Sequence, residues 1–190
     1  MGALPQEQRY TFRDIMEMTD ESERVELIDG EIYQMGAPRT AHQLIVAELT
    51  TQFGTFLTGK PCMAIPGPFA VRPLEGKDDD LFHSDTMVEP DLSVVCDPEQ
   101  LDEYGCKGAP RLIAEVLSPT TRGHDRVRKF NLYERAGVPE YWIIDPDTKT
   151  VSVHLLQDGR YYSPQIYAAG TPVPVTVLEG FSVDTSALFP

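Results

Sequence analysis

VEPDLSVVC at residues 88–96 and RLIAEVLSPTTRGHDRVRKFNLYERAGVPEYWIIDP at residues 111–146 decide the fold. Two apolar runs rich in Leu, Ile and Val each carry one acid: Asp91 opens the first, and Glu115 interrupts the second. Runs of this kind, bounded by Pro and Gly, read as strands covered on both faces. Ser118-Pro119 ends the second run, because the residue before proline is driven out of the helical region and proline resists a central ladder. Thr120 or Thr121 can cap a helix over about 122–136, stopped at Gly137. EYWIID is the next strand and closes at Asp145-Pro146. Strand, strand, helix, strand with short links predicts an α/β sheet, the helix crossing right-handedly to a parallel neighbour.

Upstream, TFRDIMEM at 11–18 has Thr11 as a helix cap and Asp14 three residues on. RVELIDGEIYQM then reads as a hairpin turning at Asp29-Gly30, a pair that accepts positive φ. Glu26 and Glu31 flank that turn, where surface acids are the default. AHQLIVAELTTQFGTFL predicts a helix from Thr40 to Leu57, with Leu44, Ala47, Leu49, Phe53 and Leu57 near helical spacing. CMAI and FAVRP are short extended pieces broken by Pro66-Gly67-Pro68. The loop EGKDDDLFHSDTM lacks the ligand alternation and closing Glu of a calcium loop. DPEQLDEYGCKGAP reads as a polar crossing. The tail alternates apolar and polar residues around Asp158-Gly159, which predicts antiparallel strands and a last turn at DTSALF. No repeat or linker appears in the sequence, so residues 1–190 read as one domain.

The formal charge is −14, the opposite of the basic footprint usual for nucleic-acid binders. Its distribution is uneven. Residues 111–135 carry six Lys/Arg against three acids, whereas residues 75–104 carry eleven acids against Lys77 alone. The basic patch after Glu115 is either a solvated helix face or a phosphate-facing surface. No apolar run approaches the roughly 20 residues that cross a bilayer, so no membrane partner is expected. Cys62, Cys96 and Cys106 lack metal-ligand spacing and read as reduced thiols of a cytoplasmic protein.

A carboxylate in a buried strand is costly unless a cation or hydrogen-bond donors meet it. Two such acids on neighbouring strands suggest a shared divalent cation. Hard carboxylate oxygens suit Mg²⁺ (or Mn²⁺), with water and a phosphate oxygen completing its shell. Arg122, Arg126, Lys129 and Tyr133 fall on one face of the following helix, at i, i+4, i+7 and i+11. Lys129 either reaches Glu115 to stabilise charge on a phosphate or pairs on the surface with Asp125. His42, in the first turn of its helix, is more often a satisfied neutral side chain than a ligand.

Pro90-Asp91 followed by Glu115-Val116-Leu117 resembles the PD-(D/E)XK nuclease motif. With ELIDGEI, His42, VEPDLSVV, EVLSPTTRGHDRVRK and YERAGVPEYWIIDP in order, the chain is similar to the Uma2 family (DUF820). That resemblance implies a restriction-endonuclease-like α/β (α+β) core: a mixed central sheet flanked by helices, with an N-terminal hairpin and C-terminal antiparallel strands. It implies Asp91 and Glu115 as metal-binding acids. Leu117 stands where the general motif has lysine, and the resemblance suggests that Lys129 supplies the displaced ammonium. The reading is a Mg²⁺-dependent endonuclease acting on nucleic acid, DNA first. Asp91, Glu115 and Lys129 carry the chemistry, His42 and Glu31 join the pocket, and Arg122 and Arg126 contact phosphates. By analogy with restriction enzymes, a homodimer is expected. The rival reading is a nuclease-like scaffold that binds a partner without cutting, favoured by Leu117 and the acidic charge.

Overall fold

The computed structural model describes residues 9–18, 24–76, 79–118 and 124–189. Helix α1 (Phe12–Met18) starts where Asp14 Oδ2 accepts from the N–H and the hydroxyl of Thr11, at 2.7 and 2.8 Å. The hairpin follows as β1 (Val25–Ile28) and β2 (Glu31–Gln34). Asp29 and Gly30 take φ of 51° and 78° in its turn. Helix α2 (Thr40–Leu57) buries Ile45, Leu49, Phe53 and Leu57. Leu44, read as part of that stripe, is half exposed, because the i, i+4 row begins at Ile45.

Strands β3 (Met63–Pro66), β4 (Val71–Arg72) and β5 (Leu92–Val95) come next. The crossing at 97–110 is not wholly irregular: it holds β6 (Leu101–Asp102) and β7 (Gly105–Lys107). These form a small sheet in the order β4-β7-β6. Arg72 is fully buried there, its Nε 2.5 Å from Glu75 and its other arm on the Asp102 carboxylate. Part of the acid excess in this region thus neutralises a buried cation, which alternation alone could not reveal.

Strand β8 (Leu112–Val116), helix α3 (His124–Ala136) and β9 (Glu140–Asp145) match the predicted unit. The tail supplies β10 (Thr150–Gln157), β11 (Arg160–Tyr161), β12 (Gln165–Ala168), β13 (Val173–Pro174), β14 (Ser182–Val183) and the short α4 (Thr185–Leu188). The central sheet runs β11-β10-β9-β8-β5-β3, with β12 also paired to β10. It is mixed: β8 and β9 are parallel across α3, whereas β5 is antiparallel to both β3 and β8. Among the described residues, no helix is long and apolar enough to cross a membrane.

Alternation along β8 divides the core. Leu112, Ala114 and Val116 face α2, with Trp142, Ile144 and the tail residues Val173, Val183 and Leu188. Ile113 and Leu117 face α3, with Leu132, Tyr133, Tyr141 and Ile143. Both faces of the strand are covered, so its apolar run is nearly continuous. Glu115 occupies the one α3-facing position between Ile113 and Leu117, and Asp91 comes level with it, because Leu92 stands opposite Ala114.

One sequence reading is corrected. Cys62 and Cys96 form a disulfide, and only Cys106 is a free, buried thiol. The cause is the β3–β5 register: Met63 lies opposite Val95, so the residues just outside that pair meet. Spacing along the chain carried no trace of it.

Candidate active site

The antiparallel pairing of β5 and β8 brings Asp91 beside Glu115, and the two carboxylates are then held differently. Asp91 Oδ2 accepts the Val116 N–H at 2.7 Å and lies 3.1 Å from His42 Nε2. Glu115 Oε1 accepts from the Tyr133 hydroxyl at 2.7 Å and from the Lys129 ammonium at 3.0 Å. In each acid, one oxygen carries all of these bonds. Among the described residues, no donor is bonded to Asp91 Oδ1 or Glu115 Oε2.

Helix α3 is rotated so that Lys129 and Tyr133 turn inward, four residues apart on one face, while Val127 is left exposed. Lys129 is therefore not in a surface pair. It is buried between Glu115 and Glu26, 2.8 Å from Glu26 Oε1. Burial works against the ammonium, but Glu115 and Glu26 outweigh it and hold its pKa well above the usual lysine range. The group stays cationic through neutral pH and acts as a donor, never as a base. Burial pushes Glu115 up to about 7; Lys129 opposes that shift, and Asp91 and Glu26 reinforce it. Tyr133 is also raised, by burial first and then by Glu115. His42 is raised although burial opposes it, because the Asp91 hydrogen bond and charge favour the imidazolium.

Asp91, Glu115, Lys129 and His42 line one cavity of about 100 Å³, together with Glu26 and Arg24. Glu31 does not line it. It lies on the exposed face of β2, where it accepts from Arg128 at 2.7 Å and from Tyr33. The hairpin acid that does enter the cavity is Glu26. Its signal was legible: an acid inside the buried run Val-Glu-Leu-Ile is the same anomaly that marks Asp91 and Glu115. Arg122 and the side chain of Arg126 lie outside the described residues.

Asp91, Glu115 and Glu26 bring three carboxylates to a cavity that Lys129, Arg24 and His42 also line, and hard carboxylate oxygens suit a divalent cation. Among the described residues, no three His, Cys, Asp or Glu side chains are grouped as a metal cage. Two carboxylates with unbonded oxygens fit Mg²⁺ nonetheless, since that ion keeps several waters and commonly uses one or two carboxylates.

A mixed sheet with acids at adjoining strand ends and a lysine on the next helix is the restriction-endonuclease-like architecture. A structure from Anabaena variabilis, described as "a putative nuclease belonging to DUF820", shares this fold with a TM-score of 0.73. It is 21% identical, and the match covers 94% of this chain and 97% of that one. The Uma2 family model, described as "putative restriction endonuclease", matches residues 11–186, and the chain belongs to that family. An uncharacterized protein of Synechocystis sp. is 33% identical over 141 residues, 73% of this chain and 70% of that protein. Family and structural neighbour alike point to a nuclease.

Proposed function

We propose that the protein is a divalent-metal-dependent endonuclease that hydrolyses phosphodiester bonds in DNA. The observation that carries this reading is the convergence of Asp91, Glu115 and Lys129 on one cavity, with one oxygen of each acid left unbonded among the described residues. Asp91 Oδ1 and Glu115 Oε2 would hold Mg²⁺ or Mn²⁺. When bound, such an ion polarises the phosphate and lowers the pKa of coordinated water. Tyr133 and the Val116 N–H take up the other carboxylate oxygens and so fix where the free ones point. Lys129, with a raised pKa, offers a permanent positive charge to the phosphate as negative charge grows on it. His42 steadies Asp91 through Oδ2. Arg122 and Arg126 are assigned to phosphate contact on sequence grounds, and a dimer would cut both strands.

A scaffold that no longer cuts is the second reading, favoured by Leu117 at the motif lysine position and the charge of −14. Plasmid cleavage in Mg²⁺ or Mn²⁺ separates the two, comparing the natural chain with Asp91→Asn, Glu115→Gln and Lys129→Ala. The nuclease reading expects cleavage by the natural chain and its loss in all three variants. Equal cutting by all four proteins rules out this site, and no cutting by any leaves the scaffold.

A further inference from the structure

We infer that Glu26 is a positioning residue that fixes the Lys129 ammonium at Glu115, so that the N-terminal hairpin completes the site; this rests on the nuclease reading for its catalytic consequence, but not for its geometry. A lysine two residues after Glu115 would be aimed by the strand itself. Here Leu117 fills that place, and the ammonium arrives on a four-carbon stem from a separate helix. Such a stem has many rotamers to lose, and Glu115 alone is a single anchor. Glu26 provides the second, at 2.8 Å, and is itself almost fully buried.

Glu26 is also fastened to the strand that carries Asp91. Its Oε1 accepts the Glu89 N–H at 2.9 Å, two residues before Asp91. The hairpin is clamped to the same segment by reciprocal backbone bonds between Leu27 and Met87, both 2.7 Å. Arg24 adds a contact to Glu89 at 2.9 Å. One oxygen of Glu26 therefore joins three separate parts of the chain: β1, the approach to β5, and α3. An acid serving only to solubilise a hairpin would point outward, as Glu31 does.

The test pairs a labelling readout with cleavage. In metal-free buffer, the full chain is treated with an amine-acetylating reagent, and the peptide bearing Lys129 is followed by mass spectrometry. Glu26→Gln keeps the shape and the acceptor oxygen but removes the charge, and Glu31→Gln is the hairpin control. Lys129 should acetylate several-fold faster in Glu26→Gln and at the natural rate in Glu31→Gln. With plasmid DNA and Mg²⁺, Glu26→Gln should lower kcat by about 10- to 100-fold with little change in KM. Unchanged labelling in Glu26→Gln overturns the proposal, as does an unchanged kcat in a protein that cuts. If the natural chain cuts nothing, the nuclease reading fails, and labelling alone still decides the role of Glu26. Should Glu26→Gln not fold, Glu26→Leu, Lys129→Met and Glu115→Gln together remove all three charges. A triple variant more stable than Glu26→Leu alone supports the pairing, and one no more stable overturns it.

Discussion

Replacing Lys129 by Met removes the charge partner that Glu26 and Glu115 share while keeping most of the side-chain volume. Breaking one partner from a buried ion pair costs about 3–5 kcal/mol, because the remaining charge is stranded. Here one ammonium serves two carboxylates, both nearly inaccessible to water, so the upper end applies. For a chain of this size each kcal/mol moves Tm by about 2–4 °C, which puts the loss at roughly 10–20 °C. The measurement is thermal unfolding at pH 8 in chelator. At pH 5 the deficit should shrink, because Glu115, already raised to about 7, takes a proton in place of the lost cation. Mg²⁺ at pH 8 should recover part of it by binding the folded state alone. A variant that melts with the natural chain at pH 8 in chelator would show that the two acids do not depend on Lys129, and the electrostatic account would fail.

Glu115 gives a pH signature of its own. Its folded pKa of about 7 lies above the ordinary 4.5, so its proton stabilises the folded state fully below pH 4.5, and that stability is lost as pH rises through 7. The difference is about 3 kcal/mol, and a comparison of metal-free melts with Glu115→Gln should show this slope only in the natural chain. Reduction of Cys62–Cys96, which closes a separation of 34 residues, should cost about 3–4 kcal/mol by loop entropy, read as a lower Tm in dithiothreitol that Cys62→Ala abolishes. Glu140 is fully buried and accepts from Trp142 Nε1 at 2.7 Å and the Val177 N–H at 2.9 Å. Glu140→Ala strands both donors, for a loss of about 2–4 kcal/mol and a shift in the emission of Trp142, which denaturant titration and fluorescence would register.

Elements whose signals are local were legible in the sequence. Asp29-Gly30 and Asp158-Gly159 marked their hairpins, and the β8–α3–β9 unit followed from an apolar run, a proline stop and a helical stretch. Asp91 and Glu115 were found because a charge inside an apolar run is an energetic anomaly wherever the strands lie. The same logic, applied to Glu26, would have replaced Glu31 as the hairpin's contribution to the cavity. What the sequence withheld is relational. The rotation of α3 decides between a surface pair and a buried one for Lys129, and it is set by packing of Leu132 and Tyr133 against the sheet. The disulfide and the β4-β7-β6 sheet depend on register between distant segments, which no local pattern encodes.

The alternation of β8 has an effect on folding as well as on chemistry. Sliding β8 by one residue against β5 would turn Glu115 from the α3 side, away from Lys129, into the apolar layer formed by Leu92, Trp142 and Ile144. A slip of that kind moves every side chain to the opposite face, and the stranded carboxylate adds several kcal/mol to the error. The acid thus proofreads the alignment of the sheet: a chain that has paired its strands wrongly cannot settle, and one that settles has already assembled its cavity.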